Sequence, residues 1–161
     1  MKSLTEIPGD SEFFREFARF EYALKEAGYF YVGRYGEART AWSRFQNEMA
    51  QRQDLFDCAN RDPEIKYLID LPPECRVVVK DGVFDWQPLP EIKNMRDLVK
   101  AVERVRNNLF HGDKSGPPSE ANDPDRNRKL IRAGRRVLHL IHAHCDELAA
   151  KFDAPEPPAH T

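Results

Sequence analysis

Long apolar runs are missing from this chain: nothing approaches the roughly 20 residues of a membrane-spanning helix. The opening MKSLTEIPGDSEFF also lacks the apolar centre of a secretion signal. A cytoplasmic protein with no membrane partner is therefore expected. Cysteine is scarce, with Cys58, Cys75 and Cys145 far apart and in no CxxC pair, which argues against a disulfide framework or a structural zinc site. A large excess of one charge is lacking too, since Lys+Arg number 25 and Asp+Glu 27, for a formal net charge of -2. That excludes a chain coated with positive charge but leaves room for a local basic face that binds RNA. Internal repeats and low-complexity segments are absent as well. What remains, 161 residues of which 40% are hydrophobic and 32% charged, suits one domain with a real core.

Helical periodicity dominates what is present. Phe13, Phe17, Phe20 and Leu24 recur at steps of three and four between residues 10 and 27, placing them on one helix face. Gly28 is a natural stop. A second helix is expected over about 37–58, turning Trp42, Phe45, Met49, Leu55 and Phe56 inward. Prolines at 63, 72 and 73 then predict an irregular connection over 59–75. In RVVVKDGVFDWQP two β-branched or aromatic runs flank Asp81-Gly82, which tolerates the positive φ angles of a tight turn, so residues 76–80 and 83–87 should form a hairpin.

The third long helix is predicted over 90–110, with Met95, Leu98, Val102, Val105 and Leu109 as its apolar stripe and Gly112 beyond its end. After a polar loop, Asp123 reads as an N-cap and Pro124 as the first residue of a last helix running to about Phe152. Leu130, Val137, Leu138, Ile141, Cys145 and Leu148 form its inner side. The sum is an all-α protein: a four-helix bundle in residues 1–153 with a hairpin insertion at about 76–87 between the second and third helices, followed by a disordered tail, 154–161.

The third helix ends in VRNNLFHGDK, residues 105–114. Its wheel puts Asn107 and His111 on the outward side and Arg106 at the boundary. One reading is a solvated helix end, with His111 near the negative end of the helix dipole. The string R-N-N-L-F-H also resembles the signature of the HEPN superfamily of small helical bundles, an arginine and a histidine separated by four residues with a polar residue after the arginine. Gly112-Asp113-Lys114 is similar to the continuation in many bacterial members, with Asp113 where a second glycine is frequent. The prolines, the Val-Val-Lys-Asp-Gly hairpin and Trp86 resemble an insertion in a bacterial subgroup. The resemblance extends more loosely over most of residues 11–152.

That resemblance implies a four- to five-helix fold, homodimerisation, and metal-independent endoribonuclease activity in toxin or phage-defence settings. Arg106 and His111 would be catalytic and Asn107 auxiliary, with no cofactor. A small nucleotidyltransferase is the kind of antitoxin partner it suggests. The chemistry is coherent: imidazole exchanges protons near neutral pH, and a guanidinium stabilises phosphoryl charge. Five residues of helix turn Arg106 and His111 about 140° apart, so either the last turn unwinds or two protomers assemble one cleft.

In the last helix Arg128, Arg132, Arg135, His139 and His142 fall within a sector of about 80°. This is either a solvated charged face or, together with Lys114, a track for RNA phosphates. His139 and His142 could share a metal ion, but His144 turns to another side and Cys145 falls on the buried stripe, so no metal site is assigned. Glu21 and Lys25 read as a surface ion pair. Two rivals to the nuclease stand beside it: an inactive HEPN-like module that binds nucleic acid or a nucleotide-processing partner, and an antitoxin-like or structural partner in which His111 only caps a helix.

Overall fold

A computed structural model describes residues 9–110 and 123–153. Among these the protein is mainly helical, with seven α-helices and two antiparallel two-stranded sheets. His111, the predicted polar loop at 113–123 except Asp123, Lys114 included, and the predicted disordered tail lie outside the described residues. No described helix is long and apolar enough to cross a membrane.

The first helix, α1, spans Asp10–Glu26 and buries Phe13, Phe17, Phe20, Ala23 and Leu24. Full burial of each large side chain contributes roughly 1.5–3 kcal/mol. Gly28 ends the helix region at φ 97, a left-handed angle that costs glycine nothing.

The expected second helix over 37–58 is corrected in two ways. Its first residues are strand: β1, Phe30–Val32, pairs with β2, Ala38–Thr40. The remainder is two helices, α2 over Trp42–Met49 and α3 over Gln53–Arg61. The break needs neither glycine nor proline. Gln51 and Arg52 donate backbone N–H groups to Glu48 and Met49 carbonyls in tight turns, while the Arg52 guanidinium grips both oxygens of Asp54 at 3.0 Å in the first turn of α3. Restarting the helix there directs Leu55, Phe56 and Ala59 into the core.

The irregular connection expected over 59–75 is corrected too, because α4 occupies Pro63–Asp70. Pro63 opens this helix: at the first position its missing N–H is no loss. Asp62 caps it by accepting from the Glu64 and Ile65 amides at 3.0 and 3.3 Å. The second hairpin pairs β3, Glu74–Val78, with β4, Phe84–Pro88. It starts earlier than expected, and Asp81 and Gly82 at its tip take positive φ angles of 65 and 73.

The predicted third helix is α5, Met95–Phe110. It starts later than residue 90 because Asn94 Oδ1 accepts the Asp97 amide at 2.9 Å and Asp97 in turn accepts the Lys93 amide at 3.0 Å, a reciprocal cap. Next, α6 covers Pro124–His144, with Asp123 accepting the Asp125 amide at 3.0 Å and Pro124 in the first turn, as its sequence predicts. The expected continuation to Phe152 fails at Cys145, whose φ and ψ of -126 and 86 leave the helical region. Beyond it α7, Asp146–Phe152, lies on α1: Leu148 is buried, and Arg19 donates to the Phe152 carbonyl at 2.6 Å. Helices α1, α5 and α6 meet where Gly134 allows close approach, since a Cβ there would lie 3.0 Å from the Phe13 ring.

Candidate functional site

The end of α5 carries the residues singled out by the sequence. Leu98, Val102 and Val105 anchor the helix in the core, and Leu109 is partly buried against it. This leaves Arg106 and Asn107 half-buried at the edge of the packing. Arg106 Nη1 donates to Asn107 Oδ1 at 3.1 Å, and its guanidinium carbon lies 5.4 Å from the centre of the Phe17 ring in α1. A cation on an aromatic face is held by the ring quadrupole, so α1 helps to aim Arg106. The structure thus joins Arg106 and Asn107, whereas His111 follows the last described residue of α5.

Three polar residues beside this pair were missed by sequence reasoning. Asn108 is only 3% exposed; its side-chain amide donates to the Glu74 carbonyl at 2.7 Å, and its Oδ1 has no hydrogen-bond partner among the described residues. An amide three residues after Val105, on the helix's inner side, was the signal that could have found it. Gln46 of α2 is 2% exposed and donates to Glu103 Oε1 at 3.4 Å. Burial pushes the Glu103 carboxyl above its ordinary value; Glu21 adds repulsion, while the Gln46 hydrogen bond and the nearby Arg104 and Arg106 oppose the rise. Nothing in their spacing marks Gln46 and Glu103 as partners, because they come from separate helices.

The proposed basic track along α6 divides into two parts. Arg128 and Arg132 are exposed, the former paired with Asp125 at 3.1 Å and the latter without an ion-pair partner among the described residues. Arg135 turns to α1, donating to the two oxygens of Glu16 at 2.8 and 3.0 Å, and His139 Nε2 lies 3.3 Å from the same carboxylate. Burial alone would lift the Glu16 carboxyl, but Arg135 and then His139 hold it below its ordinary value. His142 faces Asp153 at 3.1 Å. No group of three or more His, Cys, Asp or Glu side chains among the described residues is placed to hold a metal ion.

Family models, curated proteins and solved structures give no match to this chain. Chemically, Arg106 offers a fixed fork for a phosphate, Asn107 orients that fork, and Glu103 is a half-buried carboxyl inclined to keep a proton.

Proposed function

We propose that the protein is a metal-independent endoribonuclease of HEPN type, acting as a homodimer in which Arg106, Asn107 and His111 of both protomers line one cleft. The observation that carries this reading is the coupling of Arg106 to Asn107 at 3.1 Å, near the end of the long helix that leads into Leu109-Phe110-His111. A mainly helical body with a hairpin between its longer helices agrees with it. In this mechanism His111 moves the proton between the ribose 2′-hydroxyl and the leaving 5′-oxygen, and Arg106 stabilises the charge that grows on the phosphoryl oxygens. Asn107 keeps the guanidinium in place. An ideal helix would turn Arg106 and His111 about 140° apart, and assembly of two protomers would bring both kinds of side chain to one cleft. Arg128, Arg132 and Lys114 supply phosphate contacts; Arg135 and His139 do so only by sharing or leaving Glu16. The setting is that of a toxin or phage-defence effector, with a small nucleotidyltransferase as its antitoxin.

A non-cleaving nucleic-acid-binding module is the second reading, favoured by the seating of the Arg106 guanidinium over the Phe17 ring of α1, 5.4 Å from its centre. Cleavage separates the two. The nuclease should cut single-stranded RNA in EDTA, leave 2′,3′-cyclic phosphate ends and spare DNA, which lacks the nucleophile. His111→Ala should lose about 10²- to 10⁴-fold in rate, and Arg106→Ala on the order of 10²-fold or more, with both variants folded and dimeric by circular dichroism and light scattering. Full activity in folded His111→Ala protein, or activity that requires added metal, overturns the nuclease.

A further inference from the structure

The hairpin β1–β2 exposes aromatic rings that the core could have used. Phe30, Tyr31 and Val32 are exposed, and Tyr35 is 85% exposed. Thr40, opposite Phe30, turns toward α1 and donates to Glu21 at 3.0 Å. By strand alternation Tyr31 and its partner Arg39 lie on the other face, away from α1. The tip is built to present Tyr35. Glu37 accepts the Tyr35 amide and Arg39 Nε at 2.9 Å each, the Gly33 amide donates to the Glu37 carbonyl at 2.7 Å, and Gly36 takes φ 81. A Cβ on Gly33 would lie 2.1 Å from Glu37 Oε1, so a side chain there would displace the Glu37 carboxylate from the turn.

Charge accompanies the rings. Residues 29–44, YFYVGRYGEARTAWSR, carry three arginines against one glutamate in a chain whose formal net charge is -2. The Arg34 guanidinium lies 5.9 Å from the centre of the Tyr35 ring and has no ion-pair partner among the described residues. Exposed aromatic faces interleaved with arginine match the chemistry of an unpaired nucleic-acid strand, in which bases stack on rings and phosphates meet cations. A duplex hides its base faces.

We infer that the β1–β2 hairpin is a stacking platform for single-stranded nucleic acid, with bases on Tyr31 and Tyr35 and a phosphate on Arg34. It rests on the nuclease reading only for the choice of RNA as the natural strand. Stacking itself does not need the 2′-hydroxyl, so binding can be measured on DNA that the proposed reaction cannot cut.

The test is fluorescence anisotropy of the full chain with a labelled oligothymidylate of about 15 nucleotides and a blunt duplex of equal length. The single strand should bind on the order of 10-fold tighter than the duplex. Tyr31→Ala and Tyr35→Ala should each weaken it by on the order of 10-fold, Tyr35→Phe should bind like the wild type, and thermal stability should change little at so exposed a site. Unchanged affinity in both alanine variants, equal loss in Tyr35→Phe, preference for duplex, or no binding at all overturns the platform. Self-association abolished by Tyr35→Ala without strand binding does so too, assigning the surface to protein. RNA cleavage with normal strand binding in the alanine variants removes the platform and leaves the nuclease. Strand binding lost in those variants, with no RNA cleavage by the wild type, removes the nuclease and leaves the platform.

Discussion

Both hairpins are exposed along most of their strands, but they are tied to the helices differently: β1–β2 by packing of the residue that leads into it, β3–β4 by polar contacts at its root. At the first, the Tyr29 ring meets the edge of buried Phe45 at 5.3 Å between centres, and its backbone bonds to Leu24 and Ala41. The Tyr29 hydroxyl donates to Glu48; burial, then Glu48, push that hydroxyl up to about 12. At the root of the second, Asn108 reaches the Glu74 carbonyl, and Arg126 reaches the Leu71 and Pro72 carbonyls at 3.2 and 3.0 Å. Val78, Val83 and Phe84 stay exposed farther out, with the Arg76 guanidinium 4.2 Å from the centre of the Phe84 ring. An isolated two-stranded hairpin is marginal in water. The first borrows the stability of the core, and the second depends on its own turn and on polar ties at its base.

Two tryptophans let this contrast be broken. Trp42 lies at the base of the first hairpin, stacked on Phe17 at 5.2 Å between centres, and Trp86 sits in β4. Variants that keep one tryptophan each report the two regions separately. The largest effect is expected for Phe45→Ala, which empties a site shared by Phe20, Tyr29 and Trp42. It should cost about 3–5 kcal/mol in urea unfolding, with Trp42 and Trp86 signals lost together because α5 carries the second hairpin. A Trp42 transition well ahead of Trp86 would show that the first hairpin is not part of the core.

A smaller loss, about 1–3 kcal/mol, is expected for Asn108→Ala, which removes the donor to Glu74. Here the Trp86 transition should move to lower urea and separate from that of Trp42. Coincident transitions would mean that the second hairpin is held by packing rather than by this amide.

The smallest effect is local and depends on pH. Hydrogen bonds from its own backbone amide and that of Tyr35, then the Arg39 interaction, hold the Glu37 carboxyl below its ordinary 4.5. Because the folded value is depressed, the turn gains its support above the unfolded value and loses it as pH falls through the folded one. Hydrogen-exchange protection of the Gly33 amide should therefore drop as pH falls below the ordinary carboxyl value of 4.5, while that of Val79, bonded to the Val83 carbonyl at 2.8 Å, should not follow. Parallel loss at both amides would point to global acid unfolding.

The second hairpin, β3–β4, is the one legible in the sequence. Asp81-Gly82 encodes its turn locally, through positive φ angles that few residue pairs accept. The first hairpin carries glycines at 33 and 36 and an aromatic strand, yet helical periodicity from Trp42 onward masked it. Proline at 63 reads as a breaker unless Asp62 is taken as a cap, whereas at 124 the same Asp-Pro arrangement announces a helix start. At the candidate site, Arg106 and Asn107 are visible as a motif, while the burial of Asn108 is set by the packing of its helix face.

Sequence by itself determined what depends on near neighbours: the apolar faces of α1, α5 and α6, the Asp123-Pro124 start, the Asp81-Gly82 turn and the RNNLFH string. Each follows from propensity, capping or periodicity within a few residues. Tertiary structure alone decided where helices stop without a breaker, at Ala50 and Cys145, because there the chain turns to bury Leu55, Phe56 and Leu148. It also decided which charges meet. Glu16 captures Arg135 and His139, Gln46 meets Glu103, and Phe17 lies under Arg106, pairings set by the packing of helices distant in the chain, which no local pattern records.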